Sequence, residues 1–110
     1  MPNLAKKARI TVLKKISCSD IAEQYMGDDY KEMDMMPCPY LQEGQEFISD
    51  DWGKCPEGFC GWAWADIHQY LVQIMSGGNF TTYAKDEGVA IACCTDGFRP
   101  VVFKIERIEE

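Results

Sequence analysis

Six cysteines, at positions 18, 38, 55, 60, 93 and 94, are the residues of this sequence best equipped for chemistry. As thiolates they ligate soft metals or attack electrophiles, and their local sequence separates the candidates. Cys60 ends the stretch CPEGFC and leads directly into GWAW, a helix start. At a helix mouth, unpaired N–H groups and the macrodipole favour an anion, and so favour a reactive thiolate. The plain alternative is a compact apolar side chain packed under Trp64. Cys94 lies just before Asp96-Gly97, which reads as a two-residue hairpin turn. That register sets Cys94 opposite Arg99, whose guanidinium would hold a thiolate. Cys93 then points to the other face of its strand and reads as core. Cys38 is flanked by Pro37 and Pro39, which keep it extended and outside any helix, with no cation nearby in sequence.

Cys38, Cys60 and Cys94 each fall at an element's end or in a loop, where functional groups concentrate. The reading is that they meet at one edge of a sheet as a thiolate site. Three thiolates suit zinc, or an iron–sulfur cluster with one iron left for another ligand. Without metal, Cys60 and Cys94 would be the reacting thiols and Arg99 the activating cation. No C-x-x-C occurs, so neither a zinc ribbon nor a thioredoxin-like motif is present. Cys55 and Cys60, five apart on a flexible turn, are positioned to join on oxidation. His68, the only histidine, falls on an apolar helix face about 12 Å along the axis from Cys60. It reads as a core histidine and not as a fourth ligand. The run MDMMPC (33–38) offers sulfur donors for Cu(I), or methionines that fill gaps. DDYKEMD reads as a solvated acidic loop and lacks the carboxylate spacing of a calcium loop. No Ser-His-Asp arrangement or phosphate-binding loop is evident. Trp62 and Tyr70 lie off the core face of their helix; exposed, they would mark a ligand pocket or a partner surface.

These residues need a scaffold, and hydrophobic periodicity supplies one. Residues 8–16, ARITVLKKI, alternate as a strand, with Leu13 out of step and so read as buried on a second face. Asp20 and Glu23 resemble a capping box that opens a short helix through Met26. A short strand, QEFIS, follows Glu43-Gly44. Trp64, Ile67, Leu71, Ile74 and Met75 recur at the helical period across residues 61–76, and Gly77-Gly78 ends the run. GVAIACC and PVVFKIERI close the chain as two antiparallel strands. The order β-α-β-α-β-β predicts a single α+β domain over residues 1–110, a mainly antiparallel sheet with helices packed on one face.

Composition limits the functions this domain can serve. The chain has 110 residues, 46% apolar and 26% charged, ordinary values for one folded domain. No apolar run approaches the ~20 residues of a membrane span, and the N-terminal stretch lacks a signal's apolar core. This predicts a cytoplasmic protein, where thiols stay reduced unless they bind metal or react. The net charge is −7; residues 1–18 hold five basic side chains, whereas residues 19–57 hold eleven acidic and two basic. No broad basic surface is available to neutralise phosphates, so neither nucleic acid nor an anionic membrane is an expected partner. The rival expectation is a non-catalytic interaction module that uses a sheet edge or the Trp62/Tyr70 surface, a homodimer being one form of it. The apolar end strands 8–16 and 100–108 would pair edge to edge unless they cover each other. The sequence does not identify a small-molecule ligand.

The blocks CPYLQEGQEF (38–47), PEGFC with Ala63, GGNF (77–80) and CTDGFRPVVFKIERI (94–108) resemble the TIGR04076 family of short prokaryotic proteins. Three cysteines of the family pattern correspond to Cys38, Cys60 and Cys94, while Cys18, Cys55 and Cys93 fall outside it. The resemblance implies a single-domain protein of about this size and carries no activity with it.

Overall fold

The structure is a computed structural model that describes residues 5–33 and 36–109. Strand β1 (Lys7–Lys15) buries Ala8, Ile10 and Val12 and turns Lys7 and Arg9 away from them, as alternation requires. It pairs antiparallel with β4 (Val101–Ile108), which buries Val101, Phe103 and Ile105 on the same face. β2 (Glu46–Ser49) and β3 (Val89–Cys93) flank this central pair, giving a four-stranded antiparallel sheet in the order β2-β1-β4-β3. The fold is therefore α+β.

Helix α3 (Gly61–Met75) covers the apolar face, burying Ala63, Ile67, Leu71, Ile74 and Met75 at helical spacing. Full burial of side chains of this size contributes roughly 1.5–3 kcal/mol each, so this stripe is what holds the helix to the sheet. One contiguous core joins it to β1, β3 and β4, to Phe47 of β2, and to Leu41 and Phe59 from the connections. The helix stops where Gly77 turns to φ +93°, a conformation that glycine adopts without a side-chain clash. Arg107 of β4 closes that end, donating to the carbonyls of Ile74 (3.0 Å) and Gly78 (2.8 Å) and to Asn79 Oδ1 (3.0 Å).

The opposite face of the sheet is a ladder of charge. Arg9 reaches Glu106 at 3.2 Å and Glu46 at 3.8 Å, and Lys104 reaches Glu106 at 3.6 Å. Unlike signs side by side keep this face wetted, and exposed pairs of this kind add little stability.

Several sequence expectations change. Strands 8–16 and 100–108 pair with each other at the centre of the sheet (Lys7↔Ile108 to Lys15↔Val101), so the edges belong to β2 and β3. Leu13 is exposed, because a register shift between Val12 and Lys14 carries it out of the alternation as a bulge. The first helix, α1 (Ser19–Tyr25), is capped by Cys18 with no side-chain hydrogen bond, so the Asp20 capping box does not form. The acidic run is not a loop: residues Asp28–Glu32 form a second short helix, α2, with Asp28 and Asp29 in its first turn, where negative charge favours the helix end. The reading of MDMMPC as a copper site falls partly on residues 34 and 35, outside the described residues. So does part of the signal-peptide argument, at residues 1–4. No described helix is long and apolar enough to cross a membrane.

Candidate functional site

Cys60 is the N-cap residue of α3, with extended backbone (φ −72°, ψ 124°) and no side-chain capping bond. The segment before it enters through a turn closed by Phe59 N–H donating to Pro56 carbonyl at 3.1 Å, with Gly58 at φ +82°. That is the pattern of a type II turn, which places a glycine at its third position. Phe59 then plugs the core against Phe47 and Phe103, at centroid distances of 5.0 and 5.4 Å. Apolar anchoring of Phe59 thus fixes where its neighbour Cys60 stands.

Cys94 follows β3. Its N–H donates to the Val101 carbonyl at 3.1 Å, and the Val101 N–H points back at Cys94 Sγ at 3.3 Å. This pairing overturns the expected register: Cys94 lies opposite Val101, not Arg99, because the connection spans residues 95–100 and is not a two-residue turn. Asp96 organises the longer loop. Its Oδ1 accepts from the amides of Phe98 (3.0 Å) and Arg99 (3.3 Å), and Oδ2 accepts from Arg99 Nε at 2.8 Å. Side-chain bonding of Asp to amides two and three residues on is the physics of an Asx turn.

The loop delivers Arg99 elsewhere. Its guanidinium sits over the Tyr40 ring, 5.7 Å from the centroid. Burial alone would lower the guanidinium's affinity for its proton, but Asp96 above all, then Cys38 and Tyr40, outweigh this and raise it. The sulfur that shares Arg99's field is therefore Cys38, which the sequence left without a cation. Lys15 also approaches Cys38, donating to its carbonyl at 3.0 Å.

Cys38, Cys60, Cys94 and Arg99 line one cavity of about 470 Å³, within the ~300–1,000 Å³ typical of small-molecule sites. Phe103 and Ala63 form part of its apolar wall, and Tyr30, Tyr40 and Trp62 stand around it with much of their surface exposed. α1 and α2 contribute through Met26 and Gly27 at the junction between them and through Tyr30. The sequence picked out Trp62 as a potential pocket residue; it missed Tyr40 and Asp96, whose only signals were adjacency to Cys38 and to Gly97. Tyr70 instead packs on Phe80 at 5.6 Å.

The first turn of α3 is pinned to the end of β3. Asp66 accepts from Thr95 N–H at 2.7 Å and from its hydroxyl at 3.0 Å, while Trp62 Nε1 donates to Thr95 Oγ1 at 2.8 Å. Thr95→Val should remove the hydroxyl bonds, lower stability by about 1–2 kcal/mol, and shift the fluorescence of Trp62. An unchanged emission spectrum would mean that Trp62 is held by packing alone.

The remaining cysteines divide clearly. All six are free thiols. Cys93 is exposed at the end of edge strand β3 and is not core. Partial desolvation pushes its thiol up, and the Cys94 thiol and Asp66 carboxylate push it further. Cys55 is partly buried across the turn from Cys60, and its thiol is likewise raised, by burial first and then by Cys60. His68 is partly buried and bonded through Nε2 to the Trp52 carbonyl at 2.6 Å, with its ring edge-on to Trp64 at 5.1 Å. Its hydrogen bond is satisfied, but it lies outside the buried stripe of α3 and is not the core histidine that the sequence suggested.

Among the described residues, no three His, Cys, Asp or Glu side chains stand close enough together to hold one metal ion. The three cysteines thus share a cavity without forming a coordination sphere.

The carboxyl of Asp96 provides a pH test of the loop. Burial raises it, but the bonds from Arg99 and from the amides of Phe98 and Arg99 outweigh this and hold it below its ordinary 3.8. A depressed carboxyl stabilises the fold above its unfolded value and loses that contribution as pH falls through the folded value. Acid unfolding should therefore be steepest below about pH 4, and Asp96→Asn should flatten the curve there. An unaltered acid limb in that variant would remove Asp96 as the cause.

Comparison with known proteins adds no relative: no family model, no curated protein and no solved structure matches the chain.

Proposed function

We propose that the protein is a small cytoplasmic thiol protein whose working site is the cavity lined by Cys38, Cys60 and Cys94. The observation that carries this is convergence: three cysteines from separate segments line one small-molecule-sized cavity together with a guanidinium. Cys60 is the leading nucleophile, and Cys94 the second, with the Val101 amide directed at its sulfur. Arg99, held by Asp96 and Tyr40, supplies the positive charge beside Cys38. Zinc or an iron–sulfur cluster would need the sulfurs gathered around one ion, so metal-free thiol chemistry has the better geometric support. Six free thiols suit a compartment that keeps them reduced. The family resemblance carried by residues 38–47 and 94–108 accords with a small single domain of this kind.

Limited alkylation with iodoacetamide at mildly acidic pH, followed by peptide mapping, tests the reading. Cys60 should be labelled first and Cys93 slowly, although Cys93 is the more exposed of the two. Labelling of Cys60 no faster than Cys93 would defeat the proposal and leave Cys60 as a packing residue. Metal analysis and a visible absorption spectrum of anaerobically purified protein separate the zinc and iron–sulfur alternatives.

A second reading, a non-catalytic module that forms a homodimer, is favoured by the exposed aromatic rim of Tyr30, Tyr40 and Trp62. Sedimentation equilibrium decides it: a monomer whose mass is unmoved by Trp62→Ala counts against a dimer at this rim.

A further inference from the structure

We infer that the site works as a dithiol, in which Cys60 attacks a small organic disulfide and Cys55 then resolves the adduct into a Cys55–Cys60 disulfide. This rests on the thiol reading of the cavity and adds a substrate class and a second cysteine to it.

The turn at 56–59 provides the geometry. The Phe59-to-Pro56 hydrogen bond makes those two residues the bonded pair that closes the turn. Cys55 and Cys60 are the next pair outward. Cys60 is extended, and Cys55 precedes a proline, which restricts it to extended conformations as well. The two thus flank the turn on either side, and the Cys60 thiol is near enough to act electrostatically on that of Cys55. A disulfide joins Cα atoms ~4.4–6.8 Å apart, so only near neighbours such as residues flanking one turn are candidates for it. Cys55 already leans across the turn, its Sγ 3.9 Å from the carbonyl oxygen of Phe59, the residue before Cys60.

The two thiols are unequal in the way the chemistry requires. Cys60 lines the cavity, whereas Cys55 does not. Cys60 also borders an adjoining cavity of about 370 Å³ lined by Tyr40, Leu41, Gly58 and Phe59, so both spaces reach this residue. Cys55 is the thiol that burial and its neighbour hold protonated, which suits the group that waits and reacts second.

The steps balance. Cys60 thiolate attacks one sulfur of R–S–S–R, forming a Cys60–S–S–R bond and releasing RS⁻. Cys55 then loses its proton to water and attacks the Cys60 sulfur. The second RS⁻ leaves, and two protein thiols have been oxidised as the small disulfide is reduced to two thiols. An external thiol reverses both steps.

The test treats reduced protein with oxidised glutathione, quenches with acid, and maps the peptides by mass. In the wild type, the peptide that begins at Cys55 should lose two hydrogens and resist alkylation at both cysteines. Cys55→Ser should stop at a glutathione adduct on Cys60, and Cys60→Ser should abolish both the adduct and the closure. Two wild-type results would overturn the inference while leaving the thiol reading standing: an adduct that persists on Cys60 without closure, or a disulfide from Cys60 to Cys38 or Cys94. Absence of any reaction at Cys60, with glutathione or with iodoacetamide, would sink both.

Discussion

Phe103→Ala should lower the unfolding free energy by about 3–5 kcal/mol, a large share of the ~5–15 kcal/mol typical of a small domain. The ring is fully buried in a central strand, meets Phe59 at 5.4 Å and also forms part of the cavity wall. Truncation leaves a void that α3 and the neighbouring strands can only partly close. Urea denaturation checks the magnitude, expecting a lower midpoint at an unchanged slope. Phe103→Leu should cost markedly less, since much of the volume is retained. A cost below about 1 kcal/mol for the alanine variant would contradict the burial described. Because the same ring bounds the cavity, the alanine variant should also admit larger alkylating reagents to Cys60.

Arg107→Met should be the second costly change, at roughly 3 kcal/mol. Methionine keeps much of the side chain's bulk but leaves the Gly78 carbonyl without its Arg107 donor. The Ile74 carbonyl then keeps only the helix-end amides, and Asn79 Oδ1 keeps only the Gly88 amide. Arg107→Lys should recover only part of the loss, because one ammonium cannot reproduce the guanidinium's fork across three acceptors. Amide exchange localises the effect: the last turn of α3 should lose protection before the strands do. Uniform loss of protection would mean that Arg107 supports the whole sheet and not the helix end.

The parts of the fold that were legible in the sequence are those where one period runs uninterrupted. Ile67, Leu71 and Ile74 announce α3, and Val101, Phe103 and Ile105 announce β4, because each series meets a single buried face. Leu13 misled because one bulge reverses the facing of every residue beyond it, and no local residue type marks a bulge. The helix at Asp28–Glu32 was hidden because it buries nothing, so it has no apolar stripe to show. Cys93 was assigned to the core face, whereas alternation along β3 buries Ala90 and Ala92 and turns Ile91 and Cys93 to the outer face.

At the site, Cys38, Cys60 and Cys94 at element ends do line one cavity, but among the described residues they do not gather around one point as a shared thiolate site would require. The partner of Arg99 was not foreseeable. Asp-Gly suggests a two-residue turn, but Asp96 spends its carboxylate on residues 98 and 99 and so stabilises a longer loop. That loop moves Arg99 from Cys94 to the field of Cys38, a pairing set by tertiary structure and by no spacing along the chain.

The central place of β1 and β4 bears on how the chain reaches its fold. Every hydrogen bond between them joins residues nearly the whole sequence apart, from Lys7↔Ile108 onward. β2 has only β1 to pair with, and β3 only β4, so the sheet is two separate ribbons until those distant segments meet. Closing so long a loop costs entropy before any contact across the centre repays it, and sheets dominated by distant pairings fold on the slower millisecond-to-second scale. A chain still being synthesised can hold the β1–β2 ribbon but cannot complete the sheet until residue 108 has left the ribosome. Until then the apolar side of β1 has no permanent neighbour, and the nascent protein is at its most vulnerable to aggregation.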